Sequence, residues 1–345
     1  MKPNKVFNDP FSKALIRCGT LSTLFYFFHK LVLIIQLQTV NPNLIVILGP
    51  TACGKTHLAT HLAYQINGEI ISADSRQVYR GMDIGTGKDL KEYTVLDRKI
   101  PYHLIDVIEA GDAYNVFRFQ QDFYRTFDEI TSRGNIPLLC GGTGLYIEAV
   151  LQDHRFTAVP VDEDLRQTLA ACTDDELLTK FNSIASNYSA FADTSTRKRL
   201  IRAIEIAVYL QDHPLPDSPR LPLQYRIYGL DLPVEERRTR ITRRLHERLQ
   251  TGMIEEVKGL LDRGIPAEKL IYYGLEYKFI TEYLLGTLVY NEMVERLNVA
   301  IHQFAKRQMT FFRKMERDGL TIHWLDALLP TEELIDRILN SEITR

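Results

Sequence analysis

The chain has 345 residues, 45% of them hydrophobic and 25% charged, so it can bury a substantial core and is not a disordered chain by composition. Its formal net charge is −2, which excludes a global positive field drawing it to nucleic acid; any such binding must come from local basic patches. Cys18, Cys53, Cys140 and Cys172 are far apart with no CxxC pair, so neither a zinc knuckle nor a disulfide framework is written in the sequence, which suits a reducing cytoplasm.

At the amino terminus, Lys2, Lys5, Lys13 and Arg17 precede apolar runs at 21–28 and 31–37, broken by His29 and Lys30. The pattern is superficially that of a signal or membrane segment, but Lys30 and the lack of an A-x-A-like cleavage site argue against a signal peptide. An extension or a start assigned too far upstream, a surface helix, and an anchor are the three readings of residues 1–41. That stretch is kept out of the fold argument, and no membrane association is expected.

From residue 43 the pattern is an aliphatic strand (44–48), a glycine loop (49–56) and a helix (56–66), which is a βα unit of a parallel sheet. Further strands are predicted at 69–72, 103–107 and 136–140, two of them ending in the polar runs Ala73-Asp74-Ser75 and Gly141-Gly142-Thr143-Gly144. The 69–72 strand is expected to lie next to the 44–48 strand. Val116, Phe119, Phe123, Phe127 and Ile130 recur every three or four residues, an amphipathic helix covering one sheet face. Residues 158–217 turn to charged helical sequence and read as an insertion. A strand at 225–230 follows, then helices at 235–250, 254–263, 271–285 and 291–315, a strand at 321–325 and a helix near 332–339. The expected fold class is therefore α/β: a P-loop NTPase-like parallel sheet with flanking helices, built from 42–157 and 218–345, with a helical domain inserted.

Gly49-Pro50-Thr51-Ala52-Cys53-Gly54-Lys55-Thr56 fits G-x-x-x-x-G-K-[ST] between a predicted strand and a predicted helix, the context such a match needs. Backbone N–H groups and the helix amino terminus cradle phosphate oxygens, Lys55 adds a mobile charge, and Thr56 offers a hydroxyl to Mg2+. The loop signifies a diphosphate or triphosphate, ATP included, without choosing the reaction. No aliphatic run ends in an acidic residue of the kind that carries magnesium in an ATPase. Asp74, at a strand end facing the ligand crevice, is placed to deprotonate or orient an attacking amine; a helix N-cap or a group near magnesium are the plainer readings.

The phosphate loop, I-I-S-A-D-S-R-Q-V-Y-R-G-M-D-I-G-T-G-K ending at Lys88, P-L-L-C-G-G-T-G-L-Y ending at Tyr146, and the later runs at 197–205, 240–244 and 305–313 together resemble the tRNA dimethylallyltransferase family over about residues 44–326. That resemblance implies transfer of a dimethylallyl group from dimethylallyl diphosphate to N6 of the adenine 3′ to the anticodon, in tRNAs reading codons that begin with U. It implies that Asp74 is the general base, that Thr51, Lys55 and Thr56 hold the diphosphate with Mg2+, and that Thr143 lines the channel where the substrates meet. Ser75, Arg76 and Gln77 become tRNA contacts, as do Lys198, Arg199, Leu200, Ile201 and Arg202 of a tRNA-clasping insertion. The arginine assisting the departing diphosphate is Arg240 or Arg244.

Arg237, Arg240, Arg244 and Arg248 recur at helical spacing and read, with Arg197–Arg202 cations and Lys306, Arg307, Arg313 and Lys314, as a phosphate-backbone track; a solvated helix face paired with Glu235, Glu236 and Glu247 is the alternative. The chain departs from the family at Cys53, at Gly87-Lys88-Asp89 in place of a T-A-K-P run, and at 272–277, where a G-Y sequence is usual. Rival functions are an adenylate isopentenyltransferase acting on free nucleotide, a nucleotide kinase, and a binding module without catalysis. A monomer without an obligate protein partner is expected.

Overall fold

The computed structural model describes residues 43–184, 187–215 and 222–340, so the readings of residues 1–41 lie outside the described residues. In chain order the strands are β1 (Leu44–Leu48), β2 (Gly68–Ser72), β3 (Thr94–Val95), β4 (Arg98–Lys99), β5 (Tyr102–His103), β6 (Ile136–Gly141), β7 (Tyr225–Asp231) and β8 (Ile322–Asp326). The α-helices are α1 (Lys55–Ile66), α2 (Val116–Ser132), α3 (Gly144–Leu151), α4 (Glu163–Ala170), α5 (Asp174–Ser183), α6 (Arg197–Asp212), α7 (Val234–Gln250), α8 (Met253–Asp262), α9 (Ala267–Tyr272), α10 (Leu275–Leu284), α11 (Tyr290–Arg317) and α12 (Thr331–Asn340).

β1 is buried on both sides because its side chains alternate between two apolar layers. Ile45 and Ile47 pack with α1 and α12, whereas Leu44, Val46 and Leu48 pack with α2, α3 and the end of α11. The sheet order is β5-β2-β6-β1-β7-β8, all parallel, so every carboxyl end opens on one edge. The aromatic stripe of α2 is core, with Phe119 and Phe123 fully buried.

Three expectations are corrected. β2 is not the neighbour of β1: β6 lies between them, pairing with both. The strand expected at 103–107 ends after His103, because Leu104 and Asp106 take left-handed backbone angles (φ 60 and 56). That turn carries the Asp106 carboxylate to Lys88, whose ammonium is 1% exposed and bonds Asp106 at 2.5 Å, Asp83 at 2.6 Å and the Tyr79 carbonyl at 2.8 Å. The predicted helix at 271–285 is also two helices, α9 and α10, broken at Gly274.

At the opposite end of β2, Glu69 is buried and accepts from Arg133 Nη2 at 2.8 Å, Asn135 Nδ2 at 2.6 Å, and contacts His103 Nε2 at 2.7 Å. Burial pushes its carboxyl up, but the hydrogen bonds from Arg133, Asn135 and His103 outweigh it and hold the group at about 2. A depressed folded value stabilises the protein above the ordinary carboxylate range, and that gain is lost as pH falls toward 2. Glu69→Gln is expected to cost about 1–3 kcal/mol at neutral pH. Urea melts should show the gap to wild type shrinking in acid; a pH-independent gap would contradict this origin.

Beyond the sheet, α7 to α10 and the first half of α11 gather a helical core with Val78, Tyr79 and Met82 from the β2 side. α4, α5 and α6 enclose a separate small core of Leu169, Leu177, Phe181, Leu200 and Ile204. Among the described residues no helix is long and apolar enough to cross a membrane.

Candidate active site

The carboxyl ends of β1, β2 and β6 open into a cavity of about 1050 Å3, roofed by α7, the α9–α10 break and α11. Its lining includes Thr51, Ala52, Gly54, Lys55 and Thr56 of the phosphate loop, Asp74, Ser75, Arg76 and Gln77, Thr143, and Arg240 and Arg244. Gly49, Pro50 and Cys53 form the buried floor of the same loop.

The loop adopts its curve through left-handed angles at Ala52 (φ 63) and Gly54 (φ 90), and Gly54 caps α1 without a side-chain bond. The first-turn N–H groups of α1 therefore face the cavity without a capping side chain, and no acidic residue lies in that turn. Lys55 Nζ rests 3.4 Å from the Pro50 carbonyl, a long contact that a ligand can replace. Burial pushes the thiols of Cys53 and Cys140 up, the latter to about 12, so both are packing groups and not nucleophiles.

Asp74 is held in place by its own turn, Oδ1 accepting the Arg76 N–H at 2.8 Å. The Thr143 hydroxyl accepts the Ser75 N–H at 3.1 Å, while the Thr143 N–H donates to the Ala73 carbonyl at 3.1 Å. The loops after β2 and β6 are thus joined at the cavity wall. Gln77 donates to the Gly87 carbonyl at 3.0 Å and its Oε1 accepts from the Ser72 hydroxyl at 2.9 Å. Arg76 lies over the exposed ring of Tyr272, 5.6 Å from its centroid.

Two groups that shape the cavity, Gln308 and Glu256, were given no role from the sequence, and a third, Asp89, was read only as a departure from the family's usual run. Gln308 accepts the Thr51 N–H at 2.9 Å and donates to the Gly142 carbonyl at 3.0 Å, tying the phosphate loop to the loop after β6. The signal was present: Ala305, Gln308, Met309 and Phe312 share the buried stripe of α11, so a polar member there needs inward partners. Glu256 accepts the N–H groups of Asp83, Ile84 and Gly85 at 2.8, 2.7 and 3.0 Å, anchoring the loop before Lys88. Asp89 accepts from Arg244 Nη2 at 2.5 Å.

The basic residues do not form one continuous face. Arg240, Arg243, Arg244, Arg248 and Arg307 line the cavity, whereas Arg237, Arg238, Lys306 and Arg313 line a second groove of about 900 Å3 on another side of α7 and α11. Arg240 is paired with Glu236 at 2.6 Å, and Lys314 with Glu148 at 2.8 Å. In α6, Arg202 holds the Val159 carbonyl at 2.6 Å and Arg197 holds Asp174 at 2.5 Å, so both support their own domain. Leu200 is buried and Ile201 partly so; Lys198 and Arg199 are exposed, and none of the segment 198–202 lines the central cavity.

Residues 77–315 match the family model described as IPP transferase, and residues 42–111 match that described as isopentenyl transferase. A Porphyromonas gingivalis protein named tRNA dimethylallyltransferase 2 is 55% identical over 299 residues, covering 86% of this chain and 98% of that protein. A Phocaeicola vulgatus protein of the same name is 52% identical over 302 residues, covering 86% and 97%. The solved structure of a tRNA isopentenylpyrophosphate transferase from Bacillus halodurans superimposes with a TM-score of 0.64 at 34% identity, covering 87% of this chain and 95% of that one.

Proposed function

The chain belongs to the IPP transferase family, and from that premise we propose that it transfers a dimethylallyl group from dimethylallyl diphosphate to N6 of the adenine 3′ to the anticodon of tRNA. The observation that carries the reading is one cavity holding both a phosphate cradle and the Asp74 carboxylate. Relatives above half identity, named for this tRNA reaction, favour it over prenylation of a free nucleotide.

An exocyclic adenine amine is a weak nucleophile because its lone pair is shared with the ring. Positioning and stabilisation of the leaving diphosphate must therefore supply most of the rate. The loop N–H groups, Lys55 and Arg244 gain strength as the C–O bond breaks and charge grows on the departing oxygen. Between the two arginines, Arg244 is the better placed, since it shares a small recess with Thr51 and Ala52 of the loop. Asp74 takes the proton that N6 loses on forming the new C–N bond. Ile301, Phe304 and Phe311 offer apolar wall to the prenyl chain, and Thr143 braces the loop that the adenine must pass. A base inside a polynucleotide reaches such a cavity by leaving its stack.

The residues present suit Mg2+, since the Thr56 hydroxyl lines the cavity beside the phosphate cradle. Thr56 would help to hold the ion, which would neutralise charge on the leaving diphosphate. β6 runs into Gly141 and Gly142, and the acidic ends of β7 and β8, Asp231 and Asp326, line the second groove and not this cavity, an arrangement that argues against ATP chemistry. We infer action in the cytoplasm, where tRNA is found, and as a monomer.

Supplying dimethylallyl diphosphate, magnesium and either unmodified tRNA or AMP tests the proposal. Prenylated adenine is expected in tRNA, with AMP a poor acceptor; equal transfer to AMP would favour the free-nucleotide reaction. The exposed cations of α7, α11 and α6 form the tRNA surface in this reading, so tRNA affinity should fall steeply with salt and donor affinity much less. Equal salt slopes for the two would remove the backbone track.

A further inference from the structure

Arg248 projects from the last turn of α7 into the cavity with its side chain only 14% exposed. Its Nη2 is buried and has no hydrogen-bond partner among the described residues. The acid that faces it, Asp89, stands 3.6 Å away and spends the same oxygen on Arg244 at 2.5 Å. A buried guanidinium N–H left unbonded is costly, and a site facing a ligand cavity is where such a cost is tolerated.

The neighbouring loop is shaped around this pair of arginines. Gly87 has φ 66, and a Cβ there would lie 1.8 Å from Arg248 Nη2 and 2.5 Å from Arg244 Nη2. Behind the guanidiniums, Thr51, Ala52, Arg244, Arg248 and Glu276 line a recess of about 20 Å3, room for one water-sized group. Burial and the nearby Arg244 push Arg248 down to about 10, which leaves it charged at neutral pH. Burial pushes the Glu276 carboxyl up, weakening it as a counter-ion. Two guanidiniums therefore share one firm carboxylate beside the phosphate loop.

We propose that Arg248 is a further diphosphate-binding residue beside Arg244, and that Asp89 is a stand-in anion that the diphosphate displaces. The inference rests on the reading of the loop as a diphosphate site. On ligand arrival the Asp89 carboxylate turns to solvent, on its 44% exposed side, and phosphate oxygens take both guanidiniums.

The test is titration of the full chain with magnesium pyrophosphate by calorimetry at fixed ionic strength. Asp89→Asn should bind about three- to tenfold tighter, because a competing like charge is gone, and Arg248→Met about tenfold weaker. In Asp89→Asn/Arg248→Met, the gain from the first change should shrink. The opposite signs guard against misfolding, since a damaged protein does not bind more tightly. Unchanged or weaker binding by Asp89→Asn overturns the stand-in role, and unchanged binding by Arg248→Met overturns the ligand role. Failure of the unaltered protein to bind pyrophosphate would instead sink the reading of the loop, and this inference with it.

Discussion

Asp74→Asn is expected to lower prenyl transfer to tRNA by about three orders of magnitude while tRNA affinity changes by less than about twofold. The substitution is nearly isosteric, and an asparagine oxygen can still accept the Arg76 N–H that the Asp74 carboxylate accepts at 2.8 Å. The turn and the cavity wall, including the Thr143 link to Ser75 at 3.1 Å, should therefore survive. What is lost is the negative charge and, with it, the ability to take the proton from N6. Single-turnover transfer with saturating donor and tRNA, alongside a filter-binding measurement, separates the two effects. Near-normal turnover in Asp74→Asn would remove Asp74 from the base role.

Lys55→Ala should reduce kcat/KM for the prenyl donor by about two to three orders of magnitude, most of it in the chemical step. Among the described residues the ammonium makes only a 3.4 Å contact with the Pro50 carbonyl, so its removal costs the fold little. Its charge matters as the diphosphate departs. Arginine at this position should not restore activity, because a planar fork cannot replace a compact ammonium within a loop this tight. An alanine variant with unchanged donor kinetics would show that the loop does not hold the diphosphate.

Much of the site was legible because its signals are local. The phosphate loop, the Asp74 turn and the Thr143 loop are each a few residues at a strand end, and the parallel sheet brings those ends to one edge. Strand order was not legible: the insertion of β6 between β2 and β1 is decided by long-range pairing, which no short stretch encodes. Likewise the shortening of β5 follows from Lys88, whose partner Asp106 needs a left-handed turn.

The remaining gaps share that cause. Gln308 meets Thr51 across 257 positions, Glu256 meets Gly85 across 171, and Arg244 meets Asp89 across 155. The helical spacing of Arg237, Arg240, Arg244 and Arg248 was read as one face. Packing of α7 on α11, with the Thr242 hydroxyl 3.1 Å from Asn298, sends Arg237 to the second groove and the others to the cavity. Gly87 and Asp89 looked like simple departures from a familiar run; the structure shows them facing Arg244 and Arg248.

The central claim is that one cavity grips a departing diphosphate while a carboxylate readies a nucleobase amine. The most direct measurement is a single turnover with labelled dimethylallyl diphosphate, following pyrophosphate release and N6-prenyladenine in tRNA together. Equal amounts of the two products, appearing at one rate and only when tRNA is present, are the predicted result. Pyrophosphate released without tRNA at the same rate, or tRNA left unprenylated, would contradict it.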